Sequence, residues 1–135
     1  STLFPYTTLF RSERDFLYVD DAVEAILLAA SEPRCEGNFY NLASGVPVSI
    51  MEAAATICEL AGTSYRCVPY PPEAVAVEPG GIHIDGSRLR DVLGWSPVVG
   101  FREGISKTFS FYRRHGHRYF HEGKGHVAIG EKALR

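Results

Sequence analysis

Three carboxylates, Asp15, Asp20 and Asp21, lie close together near the start of the sequence and could act as metal ligands or acid–base groups. Alternate side chains of a strand point to opposite faces, and Asp20 and Asp21 stand where a helical pattern begins. Asp21 with Glu24 has the form of a capping box. The apolar residues of that helical pattern are spaced i, i+3, i+4 and i+7, at Val23, Ile26, Leu27 and Ala30. We therefore interpret these carboxylates as helix-capping groups rather than as a metal site.

Histidines cluster toward the other end of the sequence, at His115, His117, His121 and His126, with Glu122 among them. Zinc binds such side chains when packed elements hold several of them around one point. These residues share their segment with glycines and follow no helical or strand period. We expect no functional metal site there.

Strand-like and helix-like segments alternate along the chain, which is typical of an α/β fold. Apolar strands are predicted within residues 14–21, at 39–42 and at 65–68. Ser49 and Glu52 form a capping box for a second helix that ends at Gly62. Residues 73–82 are predicted to form an irregular loop. A short helix with Leu89 facing inward is predicted over residues 87–93, followed by Trp95 as a packing anchor. A longer helix is predicted from Phe101, and one of its faces carries Phe101, Ile105, Phe109 and Tyr112.

Three blocks carry a resemblance to a known family. They are Arg-Asp-Phe-Leu-Tyr-Val-Asp-Asp-Ala-Val-Glu-Ala-Ile at 14–26, Asn-Phe-Tyr-Asn-Leu-Ala-Ser-Gly at 38–45, and Ile-Asp-Gly-Ser-Arg-Leu-Arg-Asp-Val-Leu-Gly-Trp-Ser-Pro at 84–97. Their order and spacing resemble the C-terminal part of the extended short-chain dehydrogenases/reductases, the NAD-dependent sugar-nucleotide epimerases and dehydratases. The resemblance covers roughly residues 14–113, about three quarters of the chain.

The resemblance implies an NAD(P)-binding Rossmann-type fold, with this chain as its C-terminal portion carrying packed helices and an incomplete parallel sheet. It implies a cytoplasmic, homodimeric parent enzyme that binds NAD and a nucleotide-diphosphate sugar and oxidises the sugar transiently at C4. The family arginine at the position of Arg14 reaches the diphosphate, and its planar guanidinium suits phosphate oxygens. His83 stands where some relatives present a tyrosine to the nucleotide. The alternatives are a surface arginine paired with Asp15 or Asp20, and a histidine that faces solvent.

Two family motifs are absent from the sequence. No Gly-x-x-Gly-x-x-Gly turn is present for a cofactor pyrophosphate, and no tyrosine is followed four residues later by lysine. We therefore predict no catalytic or cofactor-binding residue in this chain, and we expect NAD to bind only the intact parent. Glu78-Pro79-Gly80-Gly81 replaces the Arg-x-Gly-Asp of many epimerases, which argues against UDP-galactose-type epimerisation.

The sequence divides into three segments. Residues 1–12 look like translated adapter sequence that can be deleted without cost, residues 13–115 form the substrate-binding part, and 116–135 are expected to form a flexible tail. A net charge of −2 gives no reason to expect nucleic acid or a membrane as a partner. The three cysteines are odd in number, without metal-like spacing. Alternative functions are an NADP-dependent ketone reductase of the same superfamily and a non-catalytic binding module.

Overall fold

The computed structural model describes residues 12–67 and 80–119. In this part of the chain the helices are α1 (Val19–Ser31), α2 (Ile50–Ala61), α3 (Ser87–Leu93) and α4 (Phe101–His115), with 3₁₀ turns at Pro33–Cys35 and Gly116–Arg118. Strands β1 (Glu13–Asp15) and β2 (Pro47–Ser49) pair antiparallel, with Arg14 opposite Val48. The predicted α/β class is confirmed.

The predicted strand positions differ from the observed ones. The only sheet in the described residues is the antiparallel pair of β1 and β2, so the expected parallel pairing is not seen there. Residues 16–18 and 39–42 are not in a strand, because no neighbouring strand in the described ranges accepts their backbone groups. Residues 65–67 likewise form no strand, and residue 68 lies outside the described ranges.

Helix α1 begins three residues earlier than the capping-box pattern predicts. Its N-cap is Tyr18, an extended residue that makes no side-chain capping hydrogen bond. The prediction that Asp21 caps the helix is therefore wrong. The Asp21 carboxylate is buried and accepts a hydrogen bond from the backbone N–H of Val99 at 2.9 Å. Glu24, on the same side of the helix, accepts one from Trp95 Nε1 at 3.2 Å.

The apolar core lies between α1, α3 and the segment that follows α3. Ala25, Leu89 and Trp95 are its buried residues, and Leu17, Ala29, Tyr40, Leu42 and Leu93 pack against them. Alanines on α1 allow this close approach because their side chains end at Cβ. Leu89 and Trp95 were expected to face inward and to anchor the packing, and both expectations are confirmed.

The other helices follow their predicted bounds. Ser49 Oγ accepts a hydrogen bond from the N–H of Glu52 at 3.1 Å, and Gly62 ends α2 in the left-handed conformation with φ of 64°. This conformation favours glycine because a Cβ would be strained there. Helix α4 contacts the segment between β1 and α1, through the Phe16–Phe101 ring pair, whose centroids are 4.9 Å apart, and through Gly104 against Tyr18.

The ends of the chain lie largely outside the described residues. Residues 1–11 and 120–135 are among those not described, and so is most of the predicted loop at 73–82. Ser12 is buried, and its carbonyl oxygen accepts a hydrogen bond from the N–H of Ile50 at 3.1 Å. Among the described residues, no helix has the length and apolar character that a membrane crossing requires.

Candidate substrate-binding site

Strand β1 places Arg14 at the edge of the two-stranded sheet, beside residues 80–83. Arg14 Nη1 donates hydrogen bonds to the carbonyl oxygen of Glu13, at 2.9 Å, and to that of Gly80. The N–H of Ile82 donates to the Glu13 carbonyl at 3.0 Å, so residues 80–83 run beside β1. The half-buried guanidinium is therefore held where two distant segments of the chain meet.

Asp15, the next residue, has a different set of partners. Its Oδ1 accepts from the N–H of Ser44 at 2.6 Å, and its Oδ2 accepts from the N–H of Gly45 at 3.1 Å. Gly45 adopts φ of 74°, a conformation that favours glycine. The Asp15 carboxylate thus holds a turn, a role that the sequence interpretation as helix capping missed. The Ser44-Gly45 pair, a turn signal directly before β2, was the clue available in the sequence.

His83 lies on the same segment as Gly80. Its Nε2 is 3.3 Å from Glu13 Oε2, and its side chain is 66% exposed. The two predicted site residues therefore lie on adjoining segments: Arg14 belongs to β1 and contacts the carbonyl of Gly80, and His83 contacts the carboxylate of Glu13 in β1. Asp85, two residues after His83, accepts a hydrogen bond from the N–H of Ser87 at 2.9 Å, which holds the pKa of its carboxyl below the ordinary value.

This arrangement suits anion binding rather than proton transfer. A guanidinium held in place by two backbone carbonyls can bind phosphate oxygens through directed, charge-assisted hydrogen bonds. Groups that could form a metal site are absent from the described residues, where no cluster of three or more candidate ligands occurs. His115 and His117 lie at the end of α4 and in the turn after it, whereas His121, Glu122 and His126 lie outside the described ranges.

Sequence comparison finds relatives that act on sugar nucleotides. The chain is 35% identical over 100 residues to a UDP-glucose 4-epimerase of Mycolicibacterium smegmatis, a match that covers 74% of this chain and 31% of the relative. Several dTDP-glucose 4,6-dehydratases also match. No protein-family model matches the sequence.

Solved structures agree with these relatives. The UDP-glucose 4-epimerase of Thermotoga maritima, solved with UDP-glucose, superposes with a TM-score of 0.68 at 27% identity, covering 78% of this chain and 33% of that one. The chain belongs to the extended short-chain dehydrogenase/reductase family. Another family member, Bordetella bronchiseptica WbmF in complex with NAD+ and UDP, superposes with a TM-score of 0.62 at 26% identity, covering 82% of this chain and 32% of that one. The chain thus spans about a third of the length of the relatives it matches.

Proposed function

We propose that this chain supplies the substrate-binding side of an NAD-dependent nucleotide-sugar epimerase or dehydratase, in which Arg14 binds the diphosphate. The observation that carries the proposal is the anchoring of the Arg14 guanidinium on the carbonyl of Gly80, three residues before His83 in the sequence. Relatives of this chain act on UDP- and dTDP-sugars, and two structures that it matches were solved with UDP-glucose or with NAD+ and UDP.

Each proposed role follows from the chemistry of the side chain. Arg14 presents a planar donor group to phosphate oxygens. Its hydrogen bond to the backbone carbonyl of Glu13 holds the guanidinium in one position. His83 contributes a second, weaker contact through its exposed ring. NAD, when bound by the remainder of the parent enzyme, would accept and return the hydride of the sugar. This chain would bind and orient the nucleotide end of the substrate.

The direct test is a titration of the chain with UDP, followed by two-dimensional ¹H–¹⁵N NMR. We expect shifts at the amides of residues 12–15 and 80–83, and their loss in Arg14→Ala. Arg113→Ala removes an exposed arginine from α4 and should leave the titration unchanged. If UDP shifts no amide in these two segments, or if Arg14→Ala titrates like wild type, the proposal is wrong.

The chain alone should have no dehydrogenase, epimerase or dehydratase activity. The prediction rests on the absence of the glycine turn and of the Tyr-x-x-x-Lys pair from its sequence. Calorimetry should find no NAD binding tighter than about 10 μM, which corresponds to roughly −7 kcal/mol. Tighter binding would place the cofactor site within these 135 residues.

A further inference from the structure

The position of Arg14 depends on a very short strand. Strands β1 and β2 have three residues each, and a two-stranded sheet of this length is only marginally stable by itself. Whatever else holds β1 therefore decides where the guanidinium lies. Two contacts flank Arg14 along the chain: the carbonyl of Ser12 accepts from Ile50, and the carboxylate of Asp15 accepts from the turn before β2.

The Asp15 contact is the more directional of the two. Both carboxylate oxygens are used, one by the N–H of Ser44 and one by the N–H of Gly45. Two hydrogen bonds to adjacent backbone groups fix the turn in both position and orientation. The same turn leads directly into β2, in which Pro47 pairs with Asp15 and Val48 with Arg14. The carboxylate thus sets the register that holds Arg14.

We infer that Asp15 is a positioning residue for phosphate binding, acting through Arg14 rather than on the ligand. The inference rests on the proposed function of Arg14. The carboxylate holds the Ser44–Gly45 turn against the end of β1, which keeps the Arg14 backbone beside Gly80. A small displacement of a binding group weakens an interaction strongly because charge-assisted hydrogen bonds depend on geometry.

Asp15→Asn is the sharpest variant because it keeps the shape of the side chain. One carboxylate oxygen becomes an NH₂ group, which can only donate, so one of the two backbone N–H groups loses its acceptor. We expect Asp15→Asn to weaken UDP binding about tenfold, as the loss of one charge-assisted hydrogen bond does. Asp15→Glu keeps the charge but lengthens the side chain, so it should fall between wild type and Asp15→Asn.

A double-mutant cycle separates positioning from a general effect on folding. Asp15→Asn should weaken UDP binding in the wild-type background and have no further effect in Arg14→Ala. Glu32→Gln is the matched control, because Glu32 Oε1 also accepts from a backbone N–H, that of Arg34, at the far end of α1. It should leave UDP affinity unchanged.

Each outcome of this experiment is informative. If Arg14→Ala leaves UDP binding unchanged, the proposed function fails, and the inference fails with it. If Arg14→Ala weakens binding but Asp15→Asn does not, only the positioning role is wrong. Equal losses from Asp15→Asn with and without Arg14 would also contradict it, since Asp15 would then act independently. An Asp15→Asn chain without a dispersed ¹H–¹⁵N spectrum would make Asp15 a folding residue and overturn the inference as well.

Discussion

Asp15 and Asp21 lie six residues apart and use their carboxylates in the same way, yet they serve different parts of the molecule. Each accepts hydrogen bonds from backbone N–H groups far away in the sequence, Asp15 from Ser44 and Gly45 and Asp21 from Val99. Asp15 is half-buried beside the candidate phosphate-binding arginine, whereas Asp21 is only 3% exposed and faces the apolar core. The same kind of contact thus organises the candidate binding site at β1 and a packing surface at α1.

The largest expected effect is on binding, at the β1 end. In the parent enzyme proposed above, Arg14→Ala should raise the KM for a UDP- or dTDP-sugar about ten- to more than a hundredfold, because a charge-assisted contact contributes about 1.5–3 kcal/mol. NAD affinity should not change, since the diphosphate lies away from the reacting carbon. Arg14→Lys should restore part of the loss because an ammonium group lacks the planar fork.

Steady-state kinetics on both variants measures this effect. Chemical denaturation of the same proteins measures the separate effect on stability, which should be a loss of about 1 kcal/mol in Arg14→Ala because Arg14 also donates to the carbonyls of Glu13 and Gly80. An unchanged KM in Arg14→Ala would mean that this arginine is structural, and the β1 end would then no longer differ from the α1 end.

The next effect is on stability, at the α1 end. Asp21→Ala leaves the N–H of Val99 without its acceptor and should lower the free energy of unfolding by about 1.5–3 kcal/mol. Asp91→Asn, at an exposed position on α3, is the control and should stay within about 0.5 kcal/mol of wild type. Urea denaturation measures both. Similar stabilities for the Asp21 and Asp91 variants would show that the buried carboxylate does not hold the segment before α4.

A smaller effect is expected one turn further along α1. Glu24→Ala removes the acceptor of the Trp95 indole N–H and should cost about 1 kcal/mol. Glu24→Gln keeps an acceptor oxygen and should cost less. Trp95 is the only tryptophan in the sequence, so its fluorescence reports on both variants during unfolding. Equal losses of stability in Glu24→Ala and Glu24→Gln would show that the effect comes from replacing Glu24 and not from losing its hydrogen bond with Trp95.

The smallest effect concerns an exposed ion pair between α2 and α4, outside both regions. Hydrogen bonds from Arg102 hold the pKa of the Glu59 carboxyl below its ordinary value of 4.5. A carboxyl group whose pKa is lower in the folded state than in the unfolded state stabilises the fold at pH values above its unfolded-state pKa. This stabilisation is lost as the pH falls through the folded-state pKa. Arg102→Ala should therefore return the Glu59 pKa toward 4.5, as a ¹³C carboxyl NMR titration would show. A pKa that stays low in the variant would assign the shift to another cause.

Local sequence patterns were sufficient for most of the helices. The cap at Ser49, the stop at Gly62 and the inward position of Leu89 depend on neighbours within a few residues, and all three are observed. The start of α1 was misplaced because Asp21 and Glu24 have the spacing of a capping box. Their actual partners lie more than seventy residues away, beyond the reach of any local pattern.

The candidate site was likewise predicted only in part. Arg14 and His83 were selected from the family resemblance; Arg14 lies in β1, and His83 contacts Glu13 of the same strand. The role of Asp15 could not be predicted because it requires the turn at residues 44–45 to lie against β1, which is a tertiary contact. The predicted strands failed for a related reason, since strand pairing depends on which distant segments meet.

The outward face of α1 has a consequence for how the chain behaves in solution. Val23 is 47% exposed and Leu27 is 64% exposed, and Val19, Ile26 and Leu28 are exposed as well. An apolar surface of this kind favours association in water. A second copy of the chain that covered this face would stabilise the folded state by mass action, and the midpoint of unfolding would then rise with protein concentration. A melting temperature of this chain is therefore meaningful only when the concentration at which it was measured is given.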